Sequence, residues 1–202
     1  MIRLRLETDL TVGEPNENEG LVVRWRAVVV RDHDDTVQED VLGGVRATVI
    51  HYGEALDVGA NLDDVMDGAL VPLHDALFED GWLKDDFGDN LGTALLFIEE
   101  VNLDEEWRER LVDLAVVRRL VETLGTGCSL AVLNGNEARR CHAWERIGFS
   151  LRREPGELFL VLNLSKRTPH LPAGFDRFEV VPTPAREVVD ERLDERVGER
   201  GN

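Results

Sequence analysis

Lysine is almost missing from this chain. Lys84 and Lys166 are the only two among 23 basic residues, and the rest are arginine. Cysteine is equally scarce: Cys128 and Cys141 have no Cys-x-x-Cys spacing and no clustered histidine. That excludes a disulfide framework and a zinc finger, so both are expected as buried, reduced thiols, and no metal site is expected. His33, His51, His74 and His170 are scattered without ligand spacing. No apolar run approaches membrane-spanning length, and MIRLRLETDL lacks the uninterrupted apolar stretch of a secretion signal. The expected compartment is therefore the cytoplasm. Positive charge is also short, with 41 Asp+Glu against 23 Lys+Arg and a net charge of −18. Phosphate contact needs a basic stripe, so nucleic acid is not an expected partner, and neither is an anionic membrane. A carboxylate-rich, lysine-poor surface fits a chain that stays hydrated in high salt. Genomic base composition gives the same arginine bias, and both explanations stay open.

What is present suffices for one domain. The chain has 202 residues, 43% of them apolar, enough to bury a core. Residues 2–10 alternate apolar and polar, 21–30 are β-branched, and 41–51 carry a third strand pattern in which Gly43 and Gly44 suggest a bulge. The period then changes. Leu62, Val65, Met66, Leu70, Leu73 and Leu77 keep helical spacing behind Asn61, with Pro72 dividing the segment. Residues 79–90 read as a polar loop. A fourth strand at 94–101 runs straight into a helical segment stopped by Gly125, and 128–133 is apolar enough for a strand buried on both faces. A turn and a short helix precede Phe149, and 157–164 form a last strand. This predicts an α+β fold: a mixed, mainly antiparallel twisted sheet flanked by helices, spanning 1–165. The extension 166–202 is punctuated by proline, with a thin apolar stripe predicting a helix at 184–200. Such a stripe packs on the domain, docks on a second copy as a homodimer, or frays.

Two stretches carry further information: IEEVNLDEEWR at 98–108 and WERIGF at 144–149. With the order of elements, they resemble the GNAT superfamily of acyl-CoA-dependent N-acyltransferases, most strongly across 94–164. In that family a strand carrying an acidic residue ends in a Q/R-x-x-G-x-G/A loop that opens a helix. Backbone N–H groups of the loop meet the CoA pyrophosphate. The resemblance implies transfer of an acetyl or other acyl group from CoA directly to a primary amine, with acetyl-CoA as co-substrate. It assigns CoA binding to Val101 and Leu103 on the strand, to Arg108, Glu109, Arg110, Leu111, Val112, Asp113 and Leu114 at the loop and helix start, and to Asn136.

The chain departs from the family pattern there. With Arg108 on the leading Q/R, the small positions become Leu111 and Asp113, and no glycine lies between Gly92 and Gly125. Asp113 would repel a diphosphate unless a cation or Arg110 compensates. The family's thiolate-protonating tyrosine is replaced as well, because Trp144 and Ala143 stand where it is expected. Tyr52, the sole tyrosine, lies outside the motif. His142 or Cys141 would then supply the proton from neighbouring helical positions, and His142 is the candidate acid. Glu99 matches the family's acidic strand residue and is the candidate base; otherwise it is a hydrated edge carboxylate. Strand alternation sends Glu99 and Glu100 to opposite faces, with Glu99 on the side of Val101 and Leu103. Acidic loops favour a cationic acceptor, a small-molecule amine or a basic peptide. The alternative is a catalytically silent GNAT-fold module that binds a ligand or another protein. Charge reversal at Asp113 separates the two, since an enzyme would gain CoA affinity and a silent module would be indifferent.

Overall fold

Alternation does at the N-terminus what the pattern predicts. Strands β1 (Ile2–Thr8), β2 (Val22–Asp32) and β3 (Glu39–His51) form an antiparallel meander. Ile2, Leu4 and Leu6 pack inward, and so do Val23, Trp25 and Ala27 across from them. Arg3, Arg5, Glu7, Arg24 and Arg26 therefore fall on the opposite face. The expected bulge is present: Val29 pairs with Gly43 but Val30 with Val41, leaving Leu42 as the extra residue. Gly43 beside it has a φ of 139°, and a Cβ there would lie 2.2 Å from the Asn102 carbonyl oxygen. The computed structural model describes residues 1–8, 22–32, 39–52, 70–79, 82–87, 92–154 and 157–164. The start of the helical segment at 61–69 and the 166–202 extension, with its helix at 184–200, lie outside them.

Helix α1 (Leu70–Leu77) accepts Pro72 because the proline sits in the first turn, where an N–H has no intrahelical partner. The helix buries Leu70, Leu73, Ala76 and Leu77. The polar loop expected at 79–90 is instead a small hairpin of β4 (Phe78–Glu79) and β5 (Trp82–Leu83), followed by a 3₁₀ turn at Asp85–Phe87. Phe78, Leu83 and Phe87 are buried, too sparsely spaced to register as a pattern. Lys84 Nζ donates to the carbonyls of Asp75 and Ala76 at 3.0 and 2.8 Å, satisfying the C-terminal end of α1.

Strand β6 (Ala94–Leu103) is followed by two helices, not one: α2 (Glu105–Glu109) and α3 (Val112–Leu124). Then come β7 (Cys128–Asn134), a 3₁₀ segment at Gly135–Arg140, α4 (Cys141–Glu145), β8 (Ser150–Glu154) and β9 (Glu157–Asn163). The sequence reading missed β8. Its signal was the Pro-Gly pair at 155–156 between two alternating stretches. The seven-stranded sheet has the order β1-β2-β3-β6-β7-β9-β8, antiparallel throughout except for the parallel pair β6–β7. One face packs against α3, Trp144 and Phe149, and the other against α1 and the hairpin. The fold is thus mixed α+β with a mostly antiparallel sheet between helices. Among the described residues no helix is long and apolar enough to cross a membrane.

Candidate functional site

Two irregularities in β6 shape the site. The first is a bulge. Arg46 of β3 pairs with Glu100 and Ala47 with Ile98, so Glu99 is the extra residue. A bulge shifts the alternation by one. Ala94, Leu96 and Ile98 belong to the α3-side core before it, and Val101 and Leu103 after it. This corrects the expected parity: Glu99 lies opposite Val101 and Leu103, and Glu99 and Glu100 share a face. The buried Thr48 hydroxyl on that face donates to Glu99 Oε1, while Glu100 pairs with Arg46 at 2.9 Å. Glu99 itself is half-buried.

The second irregularity is a parting of strands. β6 pairs with β7 only from Ala94 to Ile98, opposite Leu133, and then runs on to Leu103 against β3 alone. Over Glu99–Leu103 the other edge of β6 is left without a sheet partner among the described residues. A cleft of about 630 Å³ lies at the end of this gap, lined by Leu103, Glu105, Arg108, Glu109, Leu111, Asn136, Glu137, Arg139 and Arg140.

Leu111 ends α2 and begins α3 at a φ of 60°, the one positive-φ residue other than glycine among the described residues. The backbone therefore makes the left-handed turn that a glycine loop would make, but with a leucine. Asp113, two residues on, is fully buried. Its Oδ1 accepts the Leu114 N–H at 3.0 Å; its Oδ2 is hydrogen-bonded by Arg140 and lies 3.6 Å from Arg108 Nε. Arg140 also donates to the Arg108 carbonyl at 3.2 Å, and Arg108 pairs with Glu137 at 2.6 Å. Of the two compensations left open for Asp113, a cation or Arg110, the charge is met by Arg140 and Arg108, while Arg110 pairs with Glu106 and lies over the Trp107 ring. Asp113 thus places a side-chain anion in the first turn of α3, where the positive end of the helix favours one. Arg139 is exposed at the cleft and forms no ion pair among the described residues.

The other predicted residues scatter by environment. Arg108, Glu109, Leu111, Leu103 and Asn136 line the cleft; Val101, Val112 and Leu114 are core residues whose side chains do not reach it. The Asn136 N–H is held by Asn134 Oδ1 at 3.0 Å, an ordinary turn contact. His142 is 94% exposed, paired with Glu145 at 3.2 Å, and outside the cleft lining. Trp144 is fully buried, edge-on to Phe149, with no acceptor for its indole N–H among the described residues. Tyr52 is buried, donating to the Gly92 carbonyl and hydrogen-bonded with Ser129; burial raises its pKa. Cys128 is buried as expected and its thiol is pushed up to about 11 by desolvation, whereas Cys141 is only half-buried. Donor atoms of Cys141, His142 and Glu145 lie within 4.8 Å of one another on the short α4.

No family model matches the sequence, and no curated protein matches it. Among solved structures the chain is similar to the crystal structure of an N-acetyltransferase from Staphylococcus aureus Mu50, at 14% identity and a TM-score of 0.32. The match covers 67% of this chain and 68% of that one. The likeness is distant.

Proposed function

We propose that the chain is an acyl-CoA-dependent N-acyltransferase in which the pantetheine arm lies along the free edge of β6. The observation that carries this reading is the parting of β6 from β7 after Ile98 and Leu133. Five residues of main chain, Glu99–Leu103, then offer donors and acceptors to an extended amide-bearing ligand, as an added strand would use them. The gap leads to the cleft that holds Arg108, Arg139 and Arg140, guanidinium groups suited to phosphate.

In the proposed reaction Glu99 removes a proton from the acceptor amine, directly or through one water. The amine nitrogen attacks the thioester carbonyl, and the C–S bond breaks as the tetrahedral intermediate collapses. The CoA thiolate leaves and takes its proton from water, His142 being 94% exposed and paired with Glu145. Thr48 fixes the Glu99 carboxylate by its hydrogen bond.

Calorimetric titration with acetyl-CoA and free CoA, at low salt and in molar KCl, tests the reading. Micromolar binding is expected. With any acceptor found by screening, Glu99→Gln should lower the rate by about 10²–10⁴ while CoA affinity stays unchanged. Absence of CoA binding in both salts would overturn the transferase reading in favour of a ligand-binding or interaction module.

A further inference from the structure

Helix α4 carries three donor groups that acyl transfer does not use. Cys141, His142 and Glu145 each offer one ligand atom, and these atoms lie within 4.8 Å of one another. Residues three and four apart on a helix are neighbours, so Glu145 stands beside both His142 and Cys141. None of the three lines the cleft of Arg108, Arg139 and Arg140. No metal site was expected from spacing, since neither cysteines nor histidines cluster; here one residue of each of three types meets instead.

The distances approach those of a coordinated ion. His142 Nδ1 and Glu145 Oε2 are 3.2 Å apart. Two ligands of a tetrahedral zinc ion, at bonds of about 2.0–2.1 Å, lie about 3.3 Å apart, so this edge of the polyhedron is already set. A sulfur bonded at about 2.3 Å needs an edge of about 3.6 Å to each of them. Cys141 is half-buried and packs partly on the core, which anchors one ligand. His142 and Glu145 are 94% and 51% exposed and have room to close on it.

Charge points the same way. A thiolate and a carboxylate supply two negative charges, which balance a divalent cation, and imidazole adds a neutral nitrogen. Thiolate and imidazole select a borderline ion of the zinc kind over magnesium or calcium, which prefer oxygen ligands. Arg140, the residue before Cys141, is committed to Asp113 and the Arg108 carbonyl and so does not neutralise Glu145. The field of a chain of net charge −18 draws cations to its surface.

We propose that Cys141, His142 and Glu145 bind one zinc ion, with water in the fourth position. The thiol proton passes to solvent as the Zn–S bond forms, while the neutral imidazole and the ionised carboxylate donate lone pairs. The site stands apart from the acyl-transfer chemistry and does not rest on it.

The test uses the full chain, untagged, reduced and stripped with chelator, in high salt so that scattered carboxylates are screened. Zn²⁺ is titrated by calorimetry into the native protein, His142→Ala and Cys141→Ser, with Mg²⁺ as the control. One equivalent should bind at about micromolar affinity or tighter, and at least about tenfold more weakly in each variant. His142 is on the surface, so its replacement leaves the fold in place. Co²⁺ should give the near-ultraviolet charge-transfer band of a thiolate ligand, absent from Cys141→Ser, and Zn²⁺ should protect Cys141 from iodoacetamide. No zinc binding, an unchanged affinity in His142→Ala, equal binding of Mg²⁺, or a cobalt spectrum without the thiolate band would each overturn the proposal. Because CoA is absent, these results are independent of the transferase titration.

Discussion

Leu111 takes a conformation that costs an L-residue about 1–2 kcal/mol, and it takes it at the loop where a glycine would be free of that cost. Its side chain packs partly on the core, which offsets the strain. Glycine at this position relieves the dihedral cost but loses the packing, whereas alanine loses the packing and keeps the strain. Leu111→Gly should therefore be more stable than Leu111→Ala by about 1 kcal/mol, measured by denaturant unfolding. The reverse order would show that the left-handed turn is not maintained in solution. The two thiols give a second test at the same scale. Cys128, with its pKa raised to about 11, should resist iodoacetamide in the folded protein at pH 8, while half-buried Cys141 is alkylated. Mass spectrometry should find one adduct, and two in denaturant. For stability the sign follows from the raised pKa. The folded state holds the neutral thiol, so the contribution is intact below the ordinary thiol range and lost as pH rises towards 11.

At the scale of elements, one extra residue in β6 decides which way the candidate base points. Alternation through Ile98-Glu99-Glu100-Val101 places Glu99 with Val101; the bulge places it with Glu100 and Thr48 instead. Nothing local marks that bulge, because it arises from the register between β3 and β6. The α2–α3 break is similar. The helical spacing at 105–124 is continuous in sequence, and only the left-handed Leu111 divides it. Asp113 then fills the first turn of α3 with an internal carboxylate held by Arg140 from the far side of β7. Charge reversal there would bury a third cation beside Arg108 and Arg140, so the neutral variant is the sharper probe. Asp113→Asn should cost about 3 kcal/mol of stability, because it leaves two guanidinium groups without their shared partner. It should also tighten free CoA severalfold by freeing them for phosphate. Calorimetry and thermal unfolding on one preparation would read both, and unchanged CoA affinity would separate Asp113 from the binding site.

For the whole molecule the governing quantity is charge. With 41 acidic and 23 basic residues, folding gathers carboxylates that repel one another, and salt screens that repulsion within a Debye length. Thermal stability should rise from low salt into molar KCl, and a flat or falling Tm would remove the case for salt adaptation. The ion pairs that β1 makes with Asp32 and Glu39 act in the opposite sense. Arg3 and Arg5 hold both carboxylates below their usual range, but these pairs are exposed and weaken as salt is added. The excess of acidic over basic residues should outweigh them.

Strand periodicity, the direct entry from an apolar strand into a helical segment, and the stop at Gly125 were legible from residues alone, because each depends on local spacing and backbone chemistry. So was the α+β class, which follows from where period two gives way to period 3.6. The hairpin at 78–83 and strand β8 escaped, since their few apolar residues become meaningful only against a core built from distant segments. Leu103, Arg108, Glu109, Leu111 and Asn136 line one cleft, but the pairings around it were not legible. That Arg140 meets Asp113, and which face Glu99 takes, depend on side chains brought together from positions 27 or more apart in the chain. Sequence spacing fixes neighbours along one element; only packing between elements decides which charges share a low-dielectric contact and which remain open to a ligand.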